Sequence, residues 1–330
     1  MKLIAKKTAQ VIFPILFGFF LIWWVVKDLT SLEIEEAKNA FQQADYFYLS
    51  LSMLIGYVSH IVRAVRWELM IAPMGYSTRF STRYHAVLIN YLMNLFVPRM
   101  GEVARCTTLA RYEKIPFNKA FGTLILERII DFLILFLMIA TVIYFERDKV
   151  WLMVKSNLIT KIPTNQWIWI LAILFILGLF VALYIIKHSE IGIIKKLKEF
   201  LLGVKEGVTT ILHLKNHWIF WFQSFLIWGL YLLGTYVCFM ALPQTQNIPL
   251  TGVVSCFVLA GIVSITTQGG LGAYPIAFGI ILKKYGISYV LGWTFGWISW
   301  LAQTLVILVF GIISIFLLSY MKKNNTESNI

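Results

Sequence analysis

The sequence FNKAFGTLILERIIDFLILFLMIATVIYF, residues Phe117–Phe145, is long enough to cross a bilayer as one helix. Three charged residues, Glu127, Arg128 and Asp131, interrupt its apolar run. A charge inside a membrane span costs roughly 3 kcal/mol on insertion scales. On a helix, Glu127 and Asp131 are related by i,i+4 spacing and Arg128 and Asp131 by i,i+3 spacing, so the three side chains can meet on one side. This stretch predicts a membrane-spanning helix with a polar face.

The composition of the whole chain indicates a membrane protein as well. Of the residues, 59% are hydrophobic and 14% are charged, and so few charges cannot cover the surface of a soluble domain of this length. The net charge of +13 comes from basic residues that flank apolar runs, which predicts contact with lipid headgroups and no nucleic-acid partner. The cysteines form no CxxC pair, so we expect no metal, disulfide framework or cofactor.

Apolar runs of about 20 residues predict the membrane topology. The candidate spans are Val11–Val26, Tyr46–Trp67, Phe117–Phe145, Trp167–Ile186, Trp218–Leu242 and Tyr289–Tyr320. Basic residues precede the first run and follow the second, which by the positive-inside rule places the N-terminus and the loop after the second span in the cytoplasm. We expect an integral protein of a bacterial-type cytoplasmic (inner) membrane with both termini in the cytoplasm.

Two further apolar segments, Tyr84–Arg111 and Leu250–Leu282, are interrupted, and we predict a re-entrant helical hairpin for each. Pro98 and Gly101 break the first, and basic residues on both flanks favour a hairpin with both ends in the cytoplasm. The glycine-rich sequence at 269–272 breaks the second, which would enter from outside. The alternative for the second segment is a simple crossing that leaves the C-terminus outside.

The predicted elements occur in the same order twice. Residues 1–145 and residues 167–320 each contain two spans, a hairpin and a further span, in opposite orientations. Inverted repeats with broken helices are typical of transporters, whose binding site lies between the two halves. The sequence therefore predicts an all-α polytopic membrane protein of one domain, residues 1–330, with about six spans and two re-entrant hairpins.

The first hairpin contains candidates for substrate binding. Asn90 and Asn94 lie on its first limb, and Arg99, Glu102 and Arg105 lie at and after the break. A helix N-terminus next to an arginine forms an anion site, and the guanidinium fork matches phosphate. The alternative is that Arg99, Glu102 and Arg105 form an ion-pair cluster that holds the hairpin.

The charged group of the third candidate span also allows two interpretations. Glu127, Arg128 and Asp131 either fix helix packing, or face a headgroup path or carry protons. Two acids and one arginine leave one negative charge in excess. We expect either Arg99 or Arg105 to balance it, or one carboxyl group to be protonated.

Two other groups of residues complete the candidates. Arg63 and Arg66 end the second candidate span, and we interpret them as snorkelling anchors at the cytoplasmic face. Gly269, Gly270 and Gly272 follow no soluble strand and lack the lysine of a P-loop, so they predict a backbone turn within the membrane rather than a nucleotide site.

The combination of these motifs resembles one known family. The matching strings are Asn94-x-x-x-Pro98-Arg99-x-Gly101-Glu102-x-x-Arg105, Glu127-Arg128-x-x-Asp131, Arg66-Trp67 and Gly269-Gly-Leu-Gly272. They resemble the lysylphosphatidylglycerol synthase transmembrane region, or flippase-like domain, family. The resemblance implies a lipid-flipping membrane domain over nearly the whole chain. The late motif departs from the family's usual PGGxGxxE at Gln268 and Pro275.

The resemblance also bears on enzyme activity. In the full synthase a soluble aminoacyl transferase domain follows the membrane domain, whereas this chain ends at Ile330, shortly after its last candidate span. We therefore expect no transferase activity and no enzyme.

We compare three functions. The first is a translocator of an anionic or glycosylated lipid that is not driven by ATP, since the chain has a basic polar interior and no ATPase motif. The second is an integral-membrane lipid-phosphate hydrolase or transferase, which the lack of a clear nucleophile disfavours. The third is a non-catalytic partner subunit. The expected partner is an anionic phospholipid or lipid-linked headgroup, and a homo-oligomer is left open.

Overall fold

A computed structural model describes residues 20, 23, 26, 27, 29–97, 99–146, 192–264 and 267–327, with the side chains of 192–198 and 321–327 excepted. In this part of the chain the secondary structure is helical and contains no strand. The α-helices are α1 Ser31–Gln43, α2 Tyr46–Ile71, α3 Phe80–Phe96, α4 Met100–Tyr112, α5 Phe117–Phe145, α6 Gly192–Thr209, α7 His217–Phe239, α8 Leu250–Val263, α9 Ala273–Lys283 and α10 Tyr289–Glu327.

Four of these helices, α2, α5, α7 and α10, are long and apolar enough to cross a membrane. They correspond to four of the predicted spans, which confirms an all-α polytopic membrane protein. The predicted span Trp167–Ile186 lies outside the described residues, and Val11–Val26 does so apart from residues 20, 23 and 26.

The first interrupted segment folds as a hairpin of α3 and α4. The chain reverses at Arg99, whose φ of 63° is left-handed, and α4 packs closely against α3. A Cβ atom on Gly101 would lie 2.0 Å from the carbonyl oxygen of Asn90, so only glycine permits this approach. Arg79 Nε lies 3.1 Å from Glu113 Oε1, so the residues that flank the hairpin meet at one end.

The second interrupted segment folds as a hairpin of α8 and α9, joined through a 3-10 turn at Gln268–Gly270. Gly269, Gly270 and Gly272 have φ values of 55°, 81° and 75°, a region that glycine enters without steric cost. A Cβ atom on Gly252, near the start of α8, would lie 3.0 Å from the ring of Tyr285, just after α9. The start and end of this segment therefore lie together, as in a hairpin and unlike a simple crossing.

The two hairpins open at opposite ends of the long helices. At one end of α2, the amide of Asp45 donates to the carbonyl of Ala241, 2.8 Å away, in the loop before α8. At the other end, Tyr112 of the first hairpin donates to the carbonyl of Leu318 near the end of α10, 3.1 Å away. The hairpin tips meet, because the side-chain amide of Gln268 donates to the carbonyl of Phe96.

Candidate functional site

Six charged side chains from three helices form a cluster inside the helix bundle, which we call the ion cluster. Its members are Arg63 and Arg66 on α2, Arg105 on α4, and Glu127, Arg128 and Asp131 on α5. All except Arg128 are buried. Removing a buried carboxylate from such a group is costly, because buried arginine charges are then left without compensation.

Glu127 lies at the centre of the ion cluster and is fully buried. Arg105 donates from Nη1 to Oε1 over 3.0 Å and from Nη2 to Oε2 over 3.2 Å, the bidentate geometry that guanidinium groups favour with carboxylates. Arg128 Nη2 donates to Oε1 over 2.7 Å, and Arg63 donates to the same oxygen. Arg66 Nη2 lies 3.6 Å from Oε2. One carboxylate thus offsets part of the charge of four arginines.

Asp131 connects the ion cluster to α7. Its Oδ2 atom accepts a hydrogen bond from Arg63 over 3.1 Å, and its Oδ1 atom accepts one from Trp228 Nε1, also over 3.1 Å. Arg66 Nη1 donates to Ser224 Oγ on the same helix over 2.9 Å. Helices from both halves of the chain therefore hold the charged groups in place.

Aromatic rings surround the arginines. The guanidinium of Arg105 lies 3.8 Å from the ring centroid of Trp67, whose Nε1 donates to Thr123 Oγ1 over 2.8 Å. Arg63 lies 5.8 Å from the ring centroid of Tyr231, a cation–π distance. Ring faces attract cations and need no hydration, so these contacts lower the cost of burying guanidinium groups.

Arg105 pairs with Glu127, as one of the predicted ways of balancing the acid excess required, but Arg63 and Arg66 join the ion cluster as well. Four arginines therefore face two carboxylates, which leaves two positive charges in excess where the sequence predicted a balanced group. Nε of Arg63, Arg66 and Arg105 and Nη2 of Arg66 are buried and have no hydrogen-bond partner among the described residues. The cluster therefore carries excess positive charge, and four of its guanidinium nitrogen atoms have no hydrogen-bond acceptor in the described part of the chain.

The interpretation of Arg63 and Arg66 as snorkelling anchors is wrong. Their exposed fractions are 2% and 0%, and both point toward Glu127 and Asp131. The partners lie on another helix about 60 residues later in the chain, so their meeting depends on packing. The i,i+3 pair of arginines inside an apolar helix was the signal that could have found them. Ser224 and Trp228 carry no comparable sequence signal.

Arg99 and Glu102 lie apart from the ion cluster. Arg99 is exposed at the hairpin break and forms no ion pair within the described part of the chain. The expected alternative, an ion-pair cluster of Arg99, Glu102 and Arg105, is not formed there, because Arg105 binds Glu127 instead. Glu102 Oε2 is buried and has no hydrogen-bond partner among the described residues.

The two asparagines differ in their surroundings. Asn94 Oδ1 accepts a hydrogen bond of 2.8 Å from the amide of Gly101, in the first turn of α4. It thereby caps a helix whose own N-cap residue, Arg99, makes no side-chain cap bond. Asn90 is buried, and its Oδ1 atom has no partner among the described residues.

The turn that contains the glycine motif contacts both α10 and the first hairpin. Trp300 Nε1 donates to the carbonyl of Gly269 over 2.6 Å. Gln268 stands where the family pattern has proline, and its amide satisfies the Phe96 carbonyl at the end of α3. That carbonyl lies at the helix C-terminus, where backbone acceptors lack intrahelical partners.

Sequence comparison identifies the family of this chain. The family model described as lysylphosphatidylglycerol synthase TM region matches residues 11–311. The chain belongs to this family. Membership confirms the resemblance drawn from the motifs. It also supports the assignment of the chain as an integral membrane protein.

Three archaeal relatives are each described as a UPF0104 membrane protein. The Methanothermobacter thermautotrophicus protein is 23% identical over 77% of this chain and 80% of its own length. The Pyrococcus horikoshii protein is 22% identical over 87% of this chain and 89% of its own. A protein of Methanocaldococcus jannaschii is 31% identical over 26% of each chain. No solved structure matches.

Proposed function

We propose that this protein is a flippase-like translocator that moves an anionic or glycosylated lipid across the membrane without ATP. The observation that carries the proposal is the positive excess of the ion cluster, buried between helices of a membrane protein. A lipid phosphate would balance this charge and accept from the unpaired guanidinium donors. Membership of the transmembrane family supports a role on membrane lipid.

Arg128 offers the point of access to the ion cluster. Its side chain is 45% exposed, while its Nη2 atom binds Glu127 and lies 3.3 Å from Asp131. The Arg128 side chain therefore reaches both the surroundings of α5 and the buried cluster. In the proposal a headgroup phosphate first binds Arg128. Arg99, exposed at the hairpin tip and apart from the ion cluster, and the buried Asn90 contact the lipid at other points of its path.

The arrangement of helices supports movement by alternating access. Long helix α2 packs on α7, its counterpart in element order, and the hairpin tips meet between the two halves. Inverted-repeat transporters place their binding sites at such a contact. We propose one domain over residues 1–330, with halves of residues 1–145 and 167–320, both termini in the cytoplasm and no catalytic step.

Reconstitution tests the proposal. The purified chain is placed in vesicles that contain a phosphatidylglycerol, phosphatidylcholine or glycosyl diacylglycerol carrying a headgroup-side fluorophore, without ATP. Quenching of the outer leaflet then measures exchange between leaflets. We expect exchange of the phosphatidylglycerol or glycolipid probe above protein-free vesicles and above the phosphatidylcholine probe. Exchange no faster than in protein-free vesicles for every probe would contradict the proposal.

A further inference from the structure

A crevice of about 200 Å³ lies between the end of α5 and helices α8 and α9. Aliphatic side chains line most of it, among them Ile139, Val142, Val258 and Ile262. One end is polar and is bounded by Glu146, Lys284 and Tyr285, with the Tyr285 hydroxyl donating to Glu146 Oε1 over 2.9 Å. The crevice thus has an apolar body and a charged end.

The corresponding contact in the other half of the chain is tightly closed. By element order, α3 corresponds to α8 and α10 corresponds to α5. A Cβ atom on Gly311 of α10 would lie 2.8 Å from Leu92 Cβ of α3. His85 Nδ1 also lies 3.0 Å from Ser314 Oγ across the same contact. One of two related helix contacts is therefore packed and the other is open.

The crevice fits a segment of one acyl chain of a phospholipid. Its aliphatic wall lies on a membrane-spanning helix, where the surrounding medium is hydrocarbon. Its polar end lies where α5 ends and carries a lysine and a tyrosine, the residue types that hold phospholipid headgroups at the membrane interface. A phosphate beside Lys284 would place the acyl chain along α5 in the aliphatic part.

We propose that this crevice is the lateral port through which a phospholipid reaches the space between the halves, and that the α3–α10 contact is the closed port of the same cycle. The inference rests on the proposed translocation and adds the site of entry to it. The asymmetry between the two contacts is what alternating access requires at any one time, since both ports open together would let lipid pass freely.

Photo-cross-linking tests the port in the full chain. The protein is reconstituted in phosphatidylcholine vesicles containing phosphatidylglycerol with a diazirine in one acyl chain, irradiated and mapped by mass spectrometry. We expect adducts concentrated at residues 139–146 and 255–262. Adducts spread over lipid-facing residues in proportion to exposure, with Phe316 of α10 labelled as strongly as the crevice, would overturn the proposal.

Two matched pairs of variants test whether the adducts depend on the crevice itself. Ile139→Trp fills the crevice, whereas Leu137→Trp changes an exposed residue of the same helix outside it. Lys284→Gln removes the charge at the polar end and should lower the yield of crevice adducts, whereas Lys283→Gln removes an exposed neighbour that does not line the crevice and should leave that yield unchanged. We expect crevice adducts to fall about tenfold in Ile139→Trp, because overpacking excludes the chain, and to stay unchanged in Leu137→Trp. Equal adduct yields in the two tryptophan variants would overturn the port.

The leaflet-exchange assay separates the port from the translocation. If exchange is observed but adducts do not concentrate in the crevice, the port is wrong and the translocation stands. If adducts concentrate there but no probe exchanges, the translocation is wrong and the crevice is not a port.

Discussion

Arg105 binds Glu127 through two parallel hydrogen bonds of 3.0 Å and 3.2 Å, and so fastens the second limb of the first hairpin to the membrane-spanning helix α5. Its guanidinium also stacks 3.8 Å from the ring centroid of Trp67 on α2. One side chain thereby joins three helices. The relationship explains why a fully buried arginine is stable in this position, since both its charge and its flat face have partners.

Arg105→Lys keeps the charge but removes the bidentate geometry and the stacking. We expect it to lower the free energy of unfolding by about 2 kcal/mol, the scale of hydrogen bonds to charged groups. Thermal unfolding in detergent measures the change. Arg111→Lys, at an exposed position in the last turn of the same helix, is the control and should leave the midpoint unchanged. Equal midpoints for the two variants would contradict the expected role of Arg105.

The charge balance predicts the outcome of neutralising α5. The triple variant Glu127→Gln, Arg128→Leu, Asp131→Asn leaves Arg63, Arg66 and Arg105 buried with no carboxylate. Stranding a buried charge costs about 3–5 kcal/mol, so folded yield should fall well below that of Arg128→Leu alone. Fluorescence-detected size-exclusion chromatography compares the two. Recovery of the triple variant to the wild-type yield would show that the three arginines need no counter-ion.

Arg128 should matter to transport more than to folding. Its side chain is 45% exposed, and removing it lowers the positive excess of the ion cluster. We expect Arg128→Leu to keep the wild-type elution profile while leaflet exchange falls roughly tenfold, equivalent to about 1.4 kcal/mol. Arg111→Leu serves as the control for loss of an exposed arginine elsewhere. Unchanged exchange in Arg128→Leu would remove this residue from the substrate path.

Cysteine labelling tests how the hairpins lie in the membrane. Because Arg79 and Glu113 form an ion pair, single cysteines at Arg79 and Lys114 should react from one side of the membrane, and we expect that side to be cytoplasmic. A cysteine at the exposed Gln244 should react from the opposite side. The native cysteines 106, 238 and 256 are buried and set the background. Labelling of positions 79 and 114 from opposite sides would contradict the re-entrant hairpin.

The hairpin packing predicts contrasting effects of two glycine substitutions. Gly101→Ala would place a Cβ atom 2.0 Å from the Asn90 carbonyl oxygen, so we expect a large loss of folded protein. Gly261→Ala on α8 meets open space and should be neutral or stabilising by up to about 1 kcal/mol, because alanine favours helix. Folded yield and thermal midpoint measure both. Equal tolerance at the two positions would show that α3 and α4 do not approach so closely.

The sequence alone was enough for the features that depend on local chemistry. Long apolar runs predicted α2, α5, α7 and α10, because the hydrocarbon core requires about 20 apolar residues in a helix. The breaks near Gly101 and Gly269 were also predictable, since proline and glycine disfavour continuous helix wherever they occur. The family could be recognised because its motifs lie on contiguous segments.

Tertiary structure established that Arg63 and Arg66 join the charged group of α5 and that Arg105, not Arg99, does so. The carboxylate of Glu127 could bind any arginine. Among the residues next to it in the sequence, Arg128 is the one arginine. The packing of α2 brings Arg63 and Arg66 from about 60 residues away, and the hairpin brings Arg105. These three arginines change the summed formal charge of the group from one negative to two positive. Coulomb interactions act through space and not along the chain, so the charge of a buried cluster follows from the fold that assembles it.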